Sequence, residues 1–157
     1  MNTLRAYLDT SVLGGYFDRA FEADTVAFIE CVQIRKVSPL LSDIVLGEIS
    51  RAPEPVQRLL AALIEGGAEV LPVSEEAVLL QEAYLESNTL TRRWSEDALH
   101  VAIATVARAD VLVSWNFKHL VDPRRVRAFN GINLGMGYGL ISILPPCDIV
   151  HLVKDVS

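Results

Sequence analysis

WSEDALHVAIATVARADVLVSWNFKH, residues 94–119, runs from a helix through a turn into a strand. From Ala98 to Ala107 only His100 and Thr105 are polar, so a helix over Ser95–Arg108 is buried on most sides, and any carboxylate near its start needs a partner. Ser95 suits the N-cap, with Glu96 and Asp97 in the first turn. The apolar run Val111–Val113 then reads as a strand, and Asn116 lies just past it.

The same alternation extends in both directions. Strands are expected at Leu4–Leu8, Pro39–Leu41, Glu69–Leu71, Val111–Val113 and Leu140–Leu144. Helices are expected at Asp24–Lys36, Asp43–Arg51, Pro55–Glu65, Glu75–Ser87 and Ser95–Arg108, with a short one starting at Val12–Phe17. Pro55 suits a first turn, Gly66-Gly67 a helix end, and Ser42 a cap. Such an order implies a parallel sheet with helices on both faces, joined by right-handed crossovers. Ligand chemistry then belongs beyond the carboxyl ends of the strands.

Composition sets the bounds. The chain has 157 residues, 51% hydrophobic and 22% charged, enough for one domain with one substantial core. No apolar run reaches the roughly 20 residues of a membrane-spanning helix, and the N-terminus has no apolar leader pattern. With Cys31 and Cys147 as the sole cysteines, free thiols and a cytoplasmic protein are expected. A net charge of −6 argues against non-specific coating of nucleic acid, which lysines and arginines drive, but leaves room for a nuclease.

Asp9 ends the strand in YLDTSVLGGYF (7–17), followed at once by Thr10 and Ser11. It either caps the next short helix or forms one corner of a metal site. Glu48 sits in SDIVLGE (42–48) behind Ser42. Taken singly, Asp97 complements a helix dipole, Glu48 is a solvated helix position and Asn116 a turn residue. Taken together, two fall at strand ends and two on helices that can flank the same crevice. Carboxylates brought close repel and raise one another's pKa, and hard cations such as Mg²⁺ or Mn²⁺ offset that repulsion.

The ordered set of YLDTSVLGGYFD around Asp9, LSDIVLGEI around Glu48, WSEDALHVAIATVARADVLVSWNFKHLV around Asp97 and the final GYGLISILPP resembles the PIN-domain family, especially VapC-like toxin ribonucleases of toxin–antitoxin pairs. The resemblance covers nearly the whole chain as a single PIN-like domain. It implies a three-layer α/β/α fold with a central parallel sheet in the order 3-2-1-4-5, and a metal-dependent endoribonuclease using one or two Mg²⁺ or Mn²⁺ ions. By position Asp9, Glu48 and Asp97 match the family's three main acids, and Ser11 matches a small polar residue near the first. Asn116 stands where aspartate is common, which removes a charge and puts a second ion in doubt. The resemblance also implies an RNA substrate, an antitoxin partner and a homodimer, with no membrane.

In that scheme Asp9 and Asp97 hold the ion, Glu48 binds it through water or orients the attacking water, and Asn116 contacts the ion or its hydration shell. Lys118, Arg124, Arg125 and Arg127 form a locally basic stretch, and Arg92 and Arg93 precede the Asp97 helix. They either meet RNA or a partner or are a solvated surface run. His100, His119 and His151 lack zinc spacing. His100 reads as a satisfied core histidine, His119 as a surface one, and Trp94 and Trp115 as packing around the crevice. Two other readings stand beside the nuclease. One is a weakened PIN module that binds RNA or protein without cutting, which Asn116 favours. The other is a phosphoryl-accepting receiver-like domain, which needs a paired acid by the first strand and a lysine after the last, where this chain has Asp9 alone and Pro145-Pro146.

Overall fold

The structure, a computed structural model, describes residues 3–155. Five strands, Leu4–Leu8 (β1), Val37–Ser42 (β2), Glu69–Leu71 (β3), Val111–Val113 (β4) and Ser142–Leu144 (β5), form an all-parallel sheet in the order β3-β2-β1-β4-β5. This is the expected α/β architecture and strand order. The helices between and after them are Thr10–Gly15 (α1), Glu22–Gln33 (α2), Asp43–Ile49 (α3), Glu54–Glu65 (α4), Glu75–Glu86 (α5), Ser95–Val106 (α6), Pro123–Gly135 (α7) and Pro146–Asp155 (α8).

β1 lies at the centre, and its last three residues, Ala6, Tyr7 and Leu8, are fully buried. A strand covered on both faces reads as continuous apolar sequence rather than as alternation, which is why LRAYL carries so little polarity. α6 is equally enclosed: every residue from Ala98 to Thr105 is buried. Its small alanines let it lie close to its neighbours, α5 above all. The far end of α6 is tied to β1, because the Arg5 guanidinium donates to the carbonyls of Ala107 and Arg108 at 3.1 and 2.9 Å. A cation on the last carbonyls of a helix satisfies them and suits the dipole. This tie sets the position of the α6 side chains relative to β1.

The parallel register does the rest. Leu8 pairs with Val113, so Asp9 and Ser114 leave the sheet side by side, and the Asp9 amide donates to the Val113 carbonyl at 3.2 Å.

Several expected boundaries shift. The second strand is longer, beginning at Val37, and the last is shorter, because Leu140 and Ile141 precede β5 rather than belong to it. Ser42 caps α3 as expected, its hydroxyl accepting from the Val45 amide. Ser95 does not cap α6: a 3₁₀ turn over Arg92–Trp94 feeds straight into the helix and leaves Ser95 already helical. Two helices were missed. α7 contains Asn130, Gly131, Asn133 and Gly135, which hide its period, although Asp122 caps it and Pro123 opens it. α8 begins at Pro146, in a pair of prolines that reads as a stop.

Candidate active site

Four short pieces of chain meet where β1 and β4 end. Asp9 occupies the position before α1, but its carboxylate caps nothing. It instead accepts one hydroxyl at each oxygen: Ser11 Oγ donates to Oδ1 and Ser114 Oγ to Oδ2, both at 2.5 Å. The Asp9 side chain is therefore not the cap of α1. Asp9 is buried, and burial pushes its carboxyl pKa up; the His100 charge and the two hydroxyls oppose this, while the Asp97 charge adds to it.

Glu48 projects from α3 toward α6. Thr10 Oγ1 and His100 Nε2 both meet its Oε1, at 3.1 and 2.8 Å, and Oε2 lies outside these bonds. Burial works against its charge, but the hydrogen bond and charge of His100 and the Thr10 hydroxyl outweigh this and hold its pKa below the ordinary glutamate value. His100 is buried, and its other nitrogen, Nδ1, lies 2.7 Å from the Tyr7 hydroxyl, which is itself 2.7 Å from Ser42 Oγ. Burial disfavours its charge, yet the Glu48 bond and the charges of Asp9, Glu48 and Asp97 hold its pKa above the usual imidazole value.

Asp97 stands in the first turn of α6, half-buried. Asn116 Nδ2 donates to its Oδ2 at 3.3 Å, and His119 Nδ1 lies 3.8 Å from the same oxygen. Burial raises its pKa, the charges of His100 and His119 work against the rise, and those of Glu48 and Glu96 add to it. The Asn116 side-chain oxygen accepts from the His119 amide at 3.0 Å, so its amide nitrogen is the end that faces the acid.

The structure thus brings Asp9, Glu48, Asp97, Asn116 and Ser11 into one linked set with His100 at its centre. Among the described residues no three acidic, histidine or cysteine side chains form a ready metal cage. The roles of Thr10, Ser114 and Tyr7 were missed: a hydroxyl just past a strand has no periodic signature, and a tyrosine inside an apolar run reads as core. His119 is corrected. It is buried, with its ring 4.0 Å from that of Trp94, because it lies inside the turn that Asn116 closes. Trp115 packs as expected, stacked on Phe21 and donating to Thr25 Oγ1 at 2.9 Å.

The cations divide. Arg92 is paired with Glu82, Arg124 with Asp122, and Arg125 donates to the Thr89 carbonyl. Arg93 lies over the Trp94 ring and Lys118 is exposed. Burial lowers the pKa of His119, Asp97 opposes this, and the charges of Arg125, Lys118 and Arg93 lower it further.

No family model and no curated protein matches the sequence. Solved structures do match. VapBC2 from Rickettsia felis, bound to a DNA fragment from its promoter, aligns at 17% identity and a TM-score of 0.57, over 89% of this chain and 98% of that one. A toxin–antitoxin complex from Klebsiella pneumoniae aligns at 20% and 0.55, over 73% and 88%. FitAcB from Neisseria gonorrhoeae aligns at 14% and 0.56, over 90% and 97%. Over 73–90% of its length this chain, with its parallel sheet in the order β3-β2-β1-β4-β5, has the PIN-like toxin fold of those complexes.

Proposed function

We propose that the protein is a Mg²⁺- or Mn²⁺-dependent endoribonuclease and the toxin of a toxin–antitoxin pair. The observation that carries this reading is the convergence of Asp9, Glu48 and Asp97 on His100, with burial and mutual repulsion raising the pKa of both aspartates. The His100 charge offsets only part of what raises the two aspartates, and a divalent cation would supply more positive charge. The donor set fits. Glu48 Oε2 and Asp97 Oδ1 lie outside the protein's own hydrogen bonds, and Mg²⁺ usually takes only one or two carboxylates and keeps several waters. A full protein cage is therefore not required.

Asp9 and Asp97 would hold the ion, and Glu48 would hold it through water. When bound, the ion would lower the pKa of water and neutralise charge on the phosphoryl oxygens. Ser11 and Ser114 orient Asp9, and Asn116 orients Asp97. Thr10 and His100 fix one Glu48 oxygen and keep the group ionised, which leaves the other free to accept a proton from the attacking water.

Purified protein stripped by chelator should cut single-stranded RNA only after Mg²⁺ or Mn²⁺ is restored, and Asp97→Asn should not. Equal cleavage by both, or cleavage in chelator, would rule the mechanism out. The proposed partners are an antitoxin protein and a second copy of the chain, and the proposed compartment is the cytoplasm. Among the described residues no helix is long and apolar enough to cross a membrane.

A further inference from the structure

We infer that Phe117 is a stacking platform for one unpaired base of a single-stranded RNA, beside the phosphate to be cut. This rests on the ribonuclease reading and extends it to substrate class. Phe117 is 51% exposed, although the aromatic residues two positions either side, Trp115 and His119, are 8% and 6% exposed.

The loop that carries it is tightly bonded. The Asn116 carbonyl accepts from the amides of Leu120 and Val121 at 3.1 and 2.8 Å, and the Phe117 amide donates to the Trp115 carbonyl at 3.0 Å. An apolar ring is thus held in solvent by a fixed turn. One flank is supported: the ring centroid lies 6.1 Å from that of Trp115, which is stacked on Phe21 at 4.3 Å. Trp94, also near the acids, is already engaged by His119 and by Arg93.

Position and charge select the occupant. Asn116, the residue before Phe117, touches Asp97, so the ring stands one residue from the acidic site. Lys118, exposed, follows it directly, and Arg93 lies over the nearby Trp94 ring. An apolar face bordered by cations, next to carboxylates suited to a divalent ion, matches a nucleotide: base on the ring, phosphates on the cations. A protein's apolar side chain would have no use for the cations. A duplex buries its base faces and has none to offer.

The test uses the full chain carrying Asp97→Asn, which permits binding without turnover, and a short fluorescein-labelled single-stranded RNA of mixed sequence. Phe117→Ala should weaken binding about tenfold, as loss of one stacked base does. Phe117→Tyr should restore it, and Phe117→Leu, equally apolar but without a π face, should not. The matching duplex should bind weakly and equally to all. In the otherwise wild-type enzyme, Phe117→Ala should raise KM for single-stranded RNA and leave kcat unchanged. Undiminished affinity in Phe117→Ala, or full rescue by Leu, overturns the platform while metal-dependent cleavage by the wild type still stands. Unchanged RNA affinity with weakened binding of a co-expressed protein also overturns it, and assigns the ring to a protein interface. Absence of wild-type cleavage in any metal overturns the ribonuclease reading, and the platform with it.

Discussion

His100 Nε2 lies 2.8 Å from Glu48 Oε1, and the pair holds its two pKa values apart in opposite directions. Burial opposes the His100 charge, but the Glu48 bond and the surrounding acids hold its pKa above the unfolded 6.5. Its contribution to stability is therefore full below that value and lost as pH rises through the folded one. Burial also opposes the Glu48 charge, but His100 and Thr10 hold its pKa below the unfolded 4.5. Its contribution is present above 4.5 and lost as pH falls through the folded value. In chelator, the Tm gap between wild type and His100→Gln should be widest between pH 4.5 and 6.5 and narrow on either side. A gap that ignores pH would show that the two side chains are not coupled.

Asp97→Asn should abolish cleavage without destabilising the fold. Burial raises the Asp97 pKa, so the folded state prefers the proton and the ionised form carries a cost at neutral pH. The amide is permanently neutral. Thermal melts in chelator should place the variant level with wild type or above it. Added Mn²⁺ should raise the wild-type Tm by mass action and leave the variant nearly unmoved. A clear loss of Tm in chelator would make Asp97 a structural residue.

Ser114→Ala should cost about 2 kcal/mol at neutral pH, because it strips one hydroxyl from a buried carboxylate. Ser114 Oγ also accepts from the Asn116 amide at 2.9 Å, so the turn behind it loosens. Urea denaturation should show the loss shrinking in acid, where a protonated Asp9 needs its donors less. A cost that stays constant down to acid pH would place it in packing instead.

The two glycines of α1 should behave oppositely. A Cβ on Gly15 would meet Trp115 Nε1 at 2.6 Å and Cδ1 at 2.7 Å, whereas one on Gly14 meets nothing within 4 Å. Gly15→Ala should lower stability by about 1–3 kcal/mol through displacement of the indole. Gly14→Ala, in an exposed helical position, should be neutral or stabilising by less than about 1 kcal/mol. Equal melts for the two would show that Trp115 moves aside freely.

Much of this was legible in the chain. The strands β1 and β4 and the helix α6 announced themselves because burial on all sides demands unbroken apolar runs, and the acids stood out as polar residues ending those runs. Composition concealed α7, whose asparagines serve the fold: Asn133 is fully buried and accepts from the Tyr84 hydroxyl, while Asn130 bonds the backbone of Ile141 on both sides. His119 was misplaced for a similar reason. A polar residue beside Lys118 reads as surface, and only the turn closed by Asn116 sends its ring inward. Of the hydroxyls around Asp9, Ser11 was legible two positions away, whereas Ser114 could not be read, because its place depends on strand register and not on spacing along the chain.

The Asp9 carboxylate and the Ser114 hydroxyl that steadies it are 105 positions apart. During synthesis the ninth residue leaves the ribosome long before the hundred-and-fourteenth, so for most of translation the acid has no serine, no Asp97 and no β4 beside it. A growing polypeptide of this kind carries no assembled centre while it is still tethered to the machinery that makes it.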